Sequence, residues 1–113
     1  FPPELLEEYS KQQNPFLMPK DSSEVVWERA CYFLEEYKRM IVGGTLQKTD
    51  SELYIPYYNQ YHKGNSLRIQ RKTIGDSVAF SAIWWYSGEP MDQGAKEILY
   101  FMKTGIDKYN YKK

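Results

Sequence analysis

The stretch SLRIQRKTIGDSVAFSAIWWYS, residues 66–87, decides the fold because it has the pattern of two β-strands joined by a tight turn. In the first strand Leu67 and Ile69 point to one side, where we expect the hydrophobic core. Gly75 and Asp76 lie in the turn. A short connection between consecutive strands favours antiparallel pairing, so the stretch predicts a β-hairpin with one buried face.

Two more strands are predicted upstream of this hairpin. The pair Gly43-Gly44 ends a helical pattern, and after it the hydrophobic period changes from 3.6 to 2. The segments TLQKT (45–49) and LYIPYYNQY (53–61) then alternate as strands do. Pro56 lacks a backbone N–H, which places the second of them at a sheet edge or a bulge. The four strands together predict an antiparallel meander.

The segments before and after these strands in the sequence have the hydrophobic periodicity of helices. Residues 22–41 begin at Ser22 or Ser23, either of which suits an N-cap. Residues 91–106 end near Gly105, a typical helix stop. The predicted inward face of the first helix is Val26, Trp27, Ala30, Phe33, Leu34, Tyr37 and Ile41. That of the second is Met91, Ala95, Ile98, Leu99, Met102 and Ile106.

The N-terminal residues 1–20 contain a short amphipathic pattern followed by proline breaks. Residues 4–13 predict a short helix in which Leu5, Leu6 and Tyr9 share a face. After Pro15 the apolar run 16–18 is too hydrophobic for a free linker. We expect this run to pack as a strap across the domain.

The order of these elements predicts one α+β domain over residues 1–113. It consists of a short helix and strap (1–20), a main helix (22–41), a sheet (44–87) and a C-terminal helix (91–106). We expect two layers, with the helices packed on one face of a four-stranded sheet. In architecture alone this arrangement is similar to cystatin-like domains, and no sequence motif accompanies the likeness.

Fifteen basic and fifteen acidic residues give a formal net charge of zero. No global field would therefore draw the chain to nucleic acid or to an anionic membrane. The basic run RIQRK (68–72) is local, and cross-strand pairing with Glu52 or a neighbouring carboxylate explains it more simply. No apolar run approaches the roughly 20 residues of a membrane helix. We expect neither nucleic-acid binding nor a membrane span.

The start of the chain and its one cysteine bear on the compartment. Because Phe1-Pro2-Pro3 is not an ordinary beginning, we expect that a segment has been removed before it. Such a segment would fit a secreted or periplasmic protein. The single Cys31 cannot form an internal disulfide, and we expect it to be a small buried hydrophobe. The compartment stays open.

Aromatic residues are concentrated on the strands and supply the candidate site. Trp84 and Trp85 must point to opposite sides of their strand, and either phase of the alternation fits. Large rings with a polar tip are typical of binding surfaces. The predicted ligand- or partner-binding residues on the open face of the sheet are Tyr54, Tyr58, Tyr61 and Trp85, with Arg68 and Gln70 as polar companions.

Three classes of function compete for this sequence. The first is a non-catalytic module that binds a partner protein or a second copy of itself through the aromatic sheet face. The second is a carbohydrate- or small-ligand-binding module. The third, an enzyme, would need His62 to converge with Asp50 or Asp76 and a hydroxyl, and no catalytic signature surrounds it. We expect no catalytic residue, no cofactor and no metal site, since a lone histidine cannot hold zinc.

Overall fold

The structure, a computed structural model of the chain, describes residues 3–39, 45–56 and 65–106. Within these ranges the chain forms three α-helices and six strands, with a 3₁₀ turn at Lys20–Ser22. The helices are α1 (Pro3–Lys11), α2 (Ser23–Arg39) and α3 (Asp92–Thr104). The strands are β1 (Phe16–Pro19), β2 (Gln47–Lys48), β3 (Glu52–Ile55), β4 (Ser66–Ile74), β5 (Ser77–Tyr86) and β6 (Glu89–Pro90).

The predicted hairpin is confirmed and forms the centre of the sheet. β4 and β5 pair antiparallel from Ser66 opposite Trp85 to Ile74 opposite Ser77. Gly75 takes the left-handed φ of 60° that the two-residue turn needs. The sheet has the order β1-β5-β4-β3-β2, and β6 also pairs with β5. The predicted succession of β2, β3, β4 and β5 is therefore present.

The sheet has six strands rather than the four predicted. The segment predicted as a strap is strand β1, with Phe16 opposite Phe80 and Pro19 opposite Ser77. Phe16 is 3% exposed and its ring stacks on Phe80, while Leu17 is 62% exposed. An isolated strap would leave one edge of β5 without hydrogen-bond partners, whereas pairing satisfies those backbone groups.

Beyond β1, the same edge of β5 is completed by Asn14 and by β6. The Asn14 amide donates to the carbonyl of Ala82 at 2.8 Å, and the Ala82 N–H donates back to Asn14 Oδ1 at 3.2 Å. Ser87 and Gly88 have φ of 54° and 79°, which turns the chain back so that β6 can pair. The Met91 N–H then donates to the carbonyl of Trp84.

The hydrophobic core lies between one face of the sheet and the two long helices. The strands contribute Phe16, Leu53, Ile55, Leu67, Ile69, Val78, Phe80 and Ala82 to it. The helices contribute Val26, Trp27, Ala30, Leu34, Ala95, Ile98, Leu99 and Met102. Each of these side chains is less than a tenth exposed, so the predicted stripes of α2 and α3 are largely confirmed. Ile41 lies outside the described residues.

The prediction was wrong for three apolar side chains near helix ends. Met91 and Ile106 are 42% and 39% exposed because α3 starts after the first and ends before the second. Gly105, with φ of 78°, turns the chain away from the helix axis. Leu6 is half exposed, while Tyr9 of the same helix is buried against the edge of the Tyr100 ring. Helical spacing in a sequence identifies the side chains that share one face of a helix. It does not show where along the helix that face stops contacting the core.

Gly94 lets the first turn of α3 lie directly against Trp84. A Cβ placed on Gly94 would lie 2.8 Å from Trp84 Cε3, closer than real contacts allow. The indole cannot easily retreat, because the ring of Tyr37 packs against it in an edge-on arrangement with centroids 5.6 Å apart. The absence of a side chain at this position therefore sets the distance between α3 and β5.

We expect Gly94→Ala to destabilise the protein. Helix propensity alone would favour the alanine by about 1 kcal/mol, but overlap with a confined ring costs about 1–3 kcal/mol. Urea denaturation measures the difference. Gln93→Ala, at an exposed neighbouring position of α3, serves as the control and should be nearly neutral. A Gly94→Ala protein more stable than wild type would contradict this packing.

An ion-pair cluster connects α2 to β2 at the rim of the sheet. Glu35 Oε1 lies 2.6 Å from Lys48 Nζ, and Glu35 Oε2 lies 3.1 Å from Lys38 Nζ. The hydrogen bonds from Lys48 and then Lys38 lower the pKa of Glu35. The hydrogen bond to Glu35 raises the pKa of Lys48. A carboxylate whose pKa is lower in the folded than in the unfolded protein stabilises the fold when the pH is above its unfolded pKa. This contribution is lost as the pH falls through its folded pKa.

We expect Glu35→Gln to be less stable than wild type at pH 7, and the difference to shrink as pH falls below the ordinary glutamate pKa of 4.5. The reason is that acid protonates Glu35 and breaks the same pairs that the substitution removes. Denaturant titrations at pH 7 and pH 3 measure this. Glu28→Gln, an exposed change on the same helix, is the control. A difference that does not vary with pH would contradict the assignment.

Candidate functional site on the uncovered face of the sheet

The side of the sheet opposite the helices displays the alternate residues of each strand. The strand register aligns them in rows across the sheet. One row is Gln47, Tyr54, Arg68 and Ile83, and the next is Glu52, Gln70 and Ser81. Trp85 lies between Ser66 and Pro90, and Ala79 lies between Lys72 and Leu17. We call this side the uncovered face.

An apolar strip, defined as Leu17, Ala79, Ile83 and Trp85, runs along β5 and β1 on the uncovered face. Leu17 is 62% exposed, Ile83 46% and Trp85 40%. Ser81 lies between Ala79 and Ile83 on this face, so the strip has two apolar parts, one at Leu17 and Ala79 and one at Ile83 and Trp85. Exposed large apolar side chains that cluster on one face are typical of interaction sites. The strip is rigid because β5 lies inside the sheet, with β4 on one side and β1 and β6 on the other.

A polar cluster, defined as Glu52, Tyr54, Arg68 and Gln70, lies beside the strip on β3 and β4. Gln70 Nε2 donates to Glu52 Oε2 at 2.9 Å, and Arg68 Nε lies 3.3 Å from Glu52 Oε1. The Arg68 guanidinium lies over the Tyr54 ring, 4.2 Å from its centroid. Among the described residues Arg68 Nε has no acceptor at good hydrogen-bond geometry. The Arg68 side chain is therefore held by its attraction to the Glu52 carboxylate and by its contact with the Tyr54 ring. The pairing of the basic strand with Glu52 is confirmed.

The structure brings four of the six predicted site residues to one surface. Tyr54, Arg68, Gln70 and Trp85 all lie on the uncovered face. Tyr58 and Tyr61 lie outside the described residues. The alternation of β5 is also fixed: Trp84 faces the helices and packs on the core, while Trp85 is exposed.

Sequence reasoning missed part of this surface. The sequence predicts Leu17 only as part of the strap, but the register of β1 with β5 places it on the uncovered face opposite Ala79. Glu52 was predicted only as a charge partner, and it is also the acceptor that fixes Gln70. Residues 16–19 are all apolar and show no polar–apolar alternation, and four residues are too few to distinguish a strand from a strap.

The described residues contain no group of three or more histidine, cysteine or acidic side chains that could hold a metal ion. His62, the candidate base of the enzyme hypothesis, lies outside them. Burial raises the pKa of the Cys31 thiol, and the nearby Lys48 opposes this only in part. A raised pKa keeps the sulfur protonated at neutral pH and makes it a poor nucleophile.

The chain matches no known protein family, and no curated protein matches it in sequence. Among the described residues, every helix is too short or too polar to cross a lipid bilayer.

Truncation of Trp84 should cost more stability than truncation of Trp85, although the two residues are adjacent. Trp84→Ala removes a ring packed on Tyr37 and α3, and we expect it to lower the free energy of unfolding by more than about 2 kcal/mol. Trp85→Ala removes an exposed ring, and we expect a loss below about 1 kcal/mol. Chemical denaturation of both variants tests the alternation. Equal losses would show that the uncovered face is wrongly assigned.

Proposed function

We propose that the protein is a non-catalytic interaction module and that its uncovered face docks against a second copy of the same chain. The observation that carries the proposal is the adjacency of Ile83 and Trp85, which are both exposed yet held on the inner strand β5. An apolar strip is complementary to itself, so a two-fold interface can bury it on both copies with one contact surface.

The charges beside the strip favour this occupant. Arg68 and Glu52 already neutralise each other within one molecule, so the charges opposite Ile83 are compensated before a second copy arrives. Lys72 lies on the same face but opposite Ala79, at the end of the strip remote from Trp85. Burying an unpaired charge would be costly, whereas a compensated pair with a stacked guanidinium costs less. The formal net charge of zero also means that two copies do not repel each other at long range.

The geometry of the sheet edge favours association through the face. The N–H of Lys20 donates to the carbonyl of Asp76, which continues the pairing of β1 with β5. Pro15 and Pro19 flank Leu17 on this edge and have no N–H to offer an added strand. Prolines at a sheet edge disfavour edge-to-edge pairing, so association through the β1 edge is less favourable than association through the face.

The size of the face predicts weak association. A ten-residue β5 is about 30 Å long, and four strands are about 15–20 Å wide. Two copies would then bury on the order of 1,000 Å², near the lower limit for specific interfaces. We expect a dimer that forms in the micromolar range and dissociates on dilution.

The carbohydrate hypothesis has less support from the geometry. One face of the Tyr54 ring is covered by the Arg68 guanidinium and is not free to stack on a sugar. A cleft lined by charged residues such as Arg71 and Glu24 lies near the start of α2, at the end of β5 remote from Trp85. The exposed Trp85 ring, which could stack on a sugar, is therefore not adjacent to this cleft.

Sedimentation equilibrium over a wide concentration range tests the dimer. We expect the average mass of the wild type to rise toward twice the chain mass at high concentration. Ile83→Lys should abolish the rise, because it puts a charge at the centre of the strip. Tyr86→Ala is the matched control, since Tyr86 is an exposed aromatic on the same strand that points to the other side. A wild type that stays monomeric at millimolar concentration would contradict the proposal.

A further inference from the structure

A cleft of about 520 Å³ lies where the start of α2 meets β4 and the turn before β3. It is on the helix side of the sheet, at the end remote from Trp85, and it is separate from the apolar strip. The residues that line it include the polar and charged Lys20, Ser23, Glu24, Asp50, Arg71 and Lys72. Its volume falls within the range of small-ligand sites, but its lining suits a charged ligand.

The side chain of Arg71 is held in position within this cleft. Its Nε donates to the carbonyl of Asp50 at 2.7 Å, and its guanidinium lies 4.3 Å from the centroid of the Trp27 ring. Trp27 is itself buried against Phe80. The side chain is only 21% exposed, so the guanidinium is positioned before any ligand arrives. A planar fork held in this way recognises an oxyanion through paired hydrogen bonds.

Glu24 is the only acid among the described residues that forms an ion pair with Arg71. Its Oε1 lies 3.2 Å from Arg71 Nη1, but the side chain is 75% exposed. An exposed pair contributes little, so a better anion can displace it. Lys20 and Lys72 form no ion pair with any described residue. Lys72 also lines the cleft, but it follows Arg71 in β4 and its side chain points to the uncovered face. Once Glu24 moves aside, Arg71 and Lys20 are the cations that line the cleft on the helix side, together with Asp50.

We propose that this cleft binds a small ligand through a phosphate or sulfate group, which takes the place of the Glu24 carboxylate on Arg71. Arg71 supplies the directional hydrogen bonds, and Lys20 adds charge at the rim. The competing carboxylate keeps the arginine paired when the ligand is absent. The site is independent of the dimer, because Arg71 and the uncovered face lie on opposite sides of β4.

Titration of the ¹⁵N-labelled chain with inorganic phosphate, at constant ionic strength set by chloride, tests the proposal. We expect saturable shifts of the Arg71 Nε–H and Trp27 indole resonances, and the same shifts with glycerol 3-phosphate. Arg71→Met should weaken binding about tenfold or more, since it removes charge-assisted hydrogen bonds. Glu24→Gln should instead strengthen binding several-fold, because it removes the competing carboxylate.

Lys103→Met is the matched control, since it removes one positive charge from an exposed position of α3 outside the cleft. It should leave the affinity within about twofold, whereas a general effect of net charge would weaken it as much as a change in the cleft. Should Arg71→Met fail to fold, Arg71→Lys retains a charge without the fork, and Glu24→Gln remains decisive. Shifts no larger than those with chloride, or no gain in Glu24→Gln, would overturn the proposal.

Discussion

The alternation of side chains along β5 is the constraint on which the rest of the structure depends. Phe80 and Ala82 are buried under the helices, while Ile83 and Trp85 are exposed on the other side. A shift of register by one residue would exchange the two sets, so packing of the core also determines what the uncovered face displays. The core residues of β4 and β3 follow the same phase through their pairing with β5. The exposed strip is therefore a direct consequence of how the core is filled.

The need of the β5 backbone for hydrogen-bond partners explains why segments far apart in sequence meet along one edge of this strand. β1, the Asn14 side chain and β6 each cover a different part of that edge. Asn14 is notable because its amide both donates to and accepts from Ala82, as a paired backbone residue would. Buried backbone groups without partners are costly, so this edge binds the N-terminal segment to the sheet. The same pairing places Leu17 beside the strip.

Much of the fold follows from sequence periodicity, and the differences have physical causes. β4 and β5 and the helices α2 and α3 were predictable because each repeats its pattern over at least nine residues. β1 has four residues, and only its partner strand identifies it. The pairing of Glu52 with the basic strand was predictable from local charges, but the stacking of Arg71 on Trp27 was not. That contact joins β4 to α2. The alternation that buries Leu67 and Ile69 also puts Arg71 on the helix side, but no local pattern shows that α2 brings Trp27 against it.

Solvent paramagnetic relaxation of methyl groups is the most direct test of the central claim, that one side of β5 is uncovered. With a neutral soluble gadolinium chelate and dilute, monomeric protein, the methyl groups of Ile83 and Leu17 should relax rapidly. Those of Ile69 and Leu67, at 0% and 1% exposure, should be protected. If the methyl groups of Ile83 and Leu17 were as protected as those of Ile69, the uncovered face would not exist in solution.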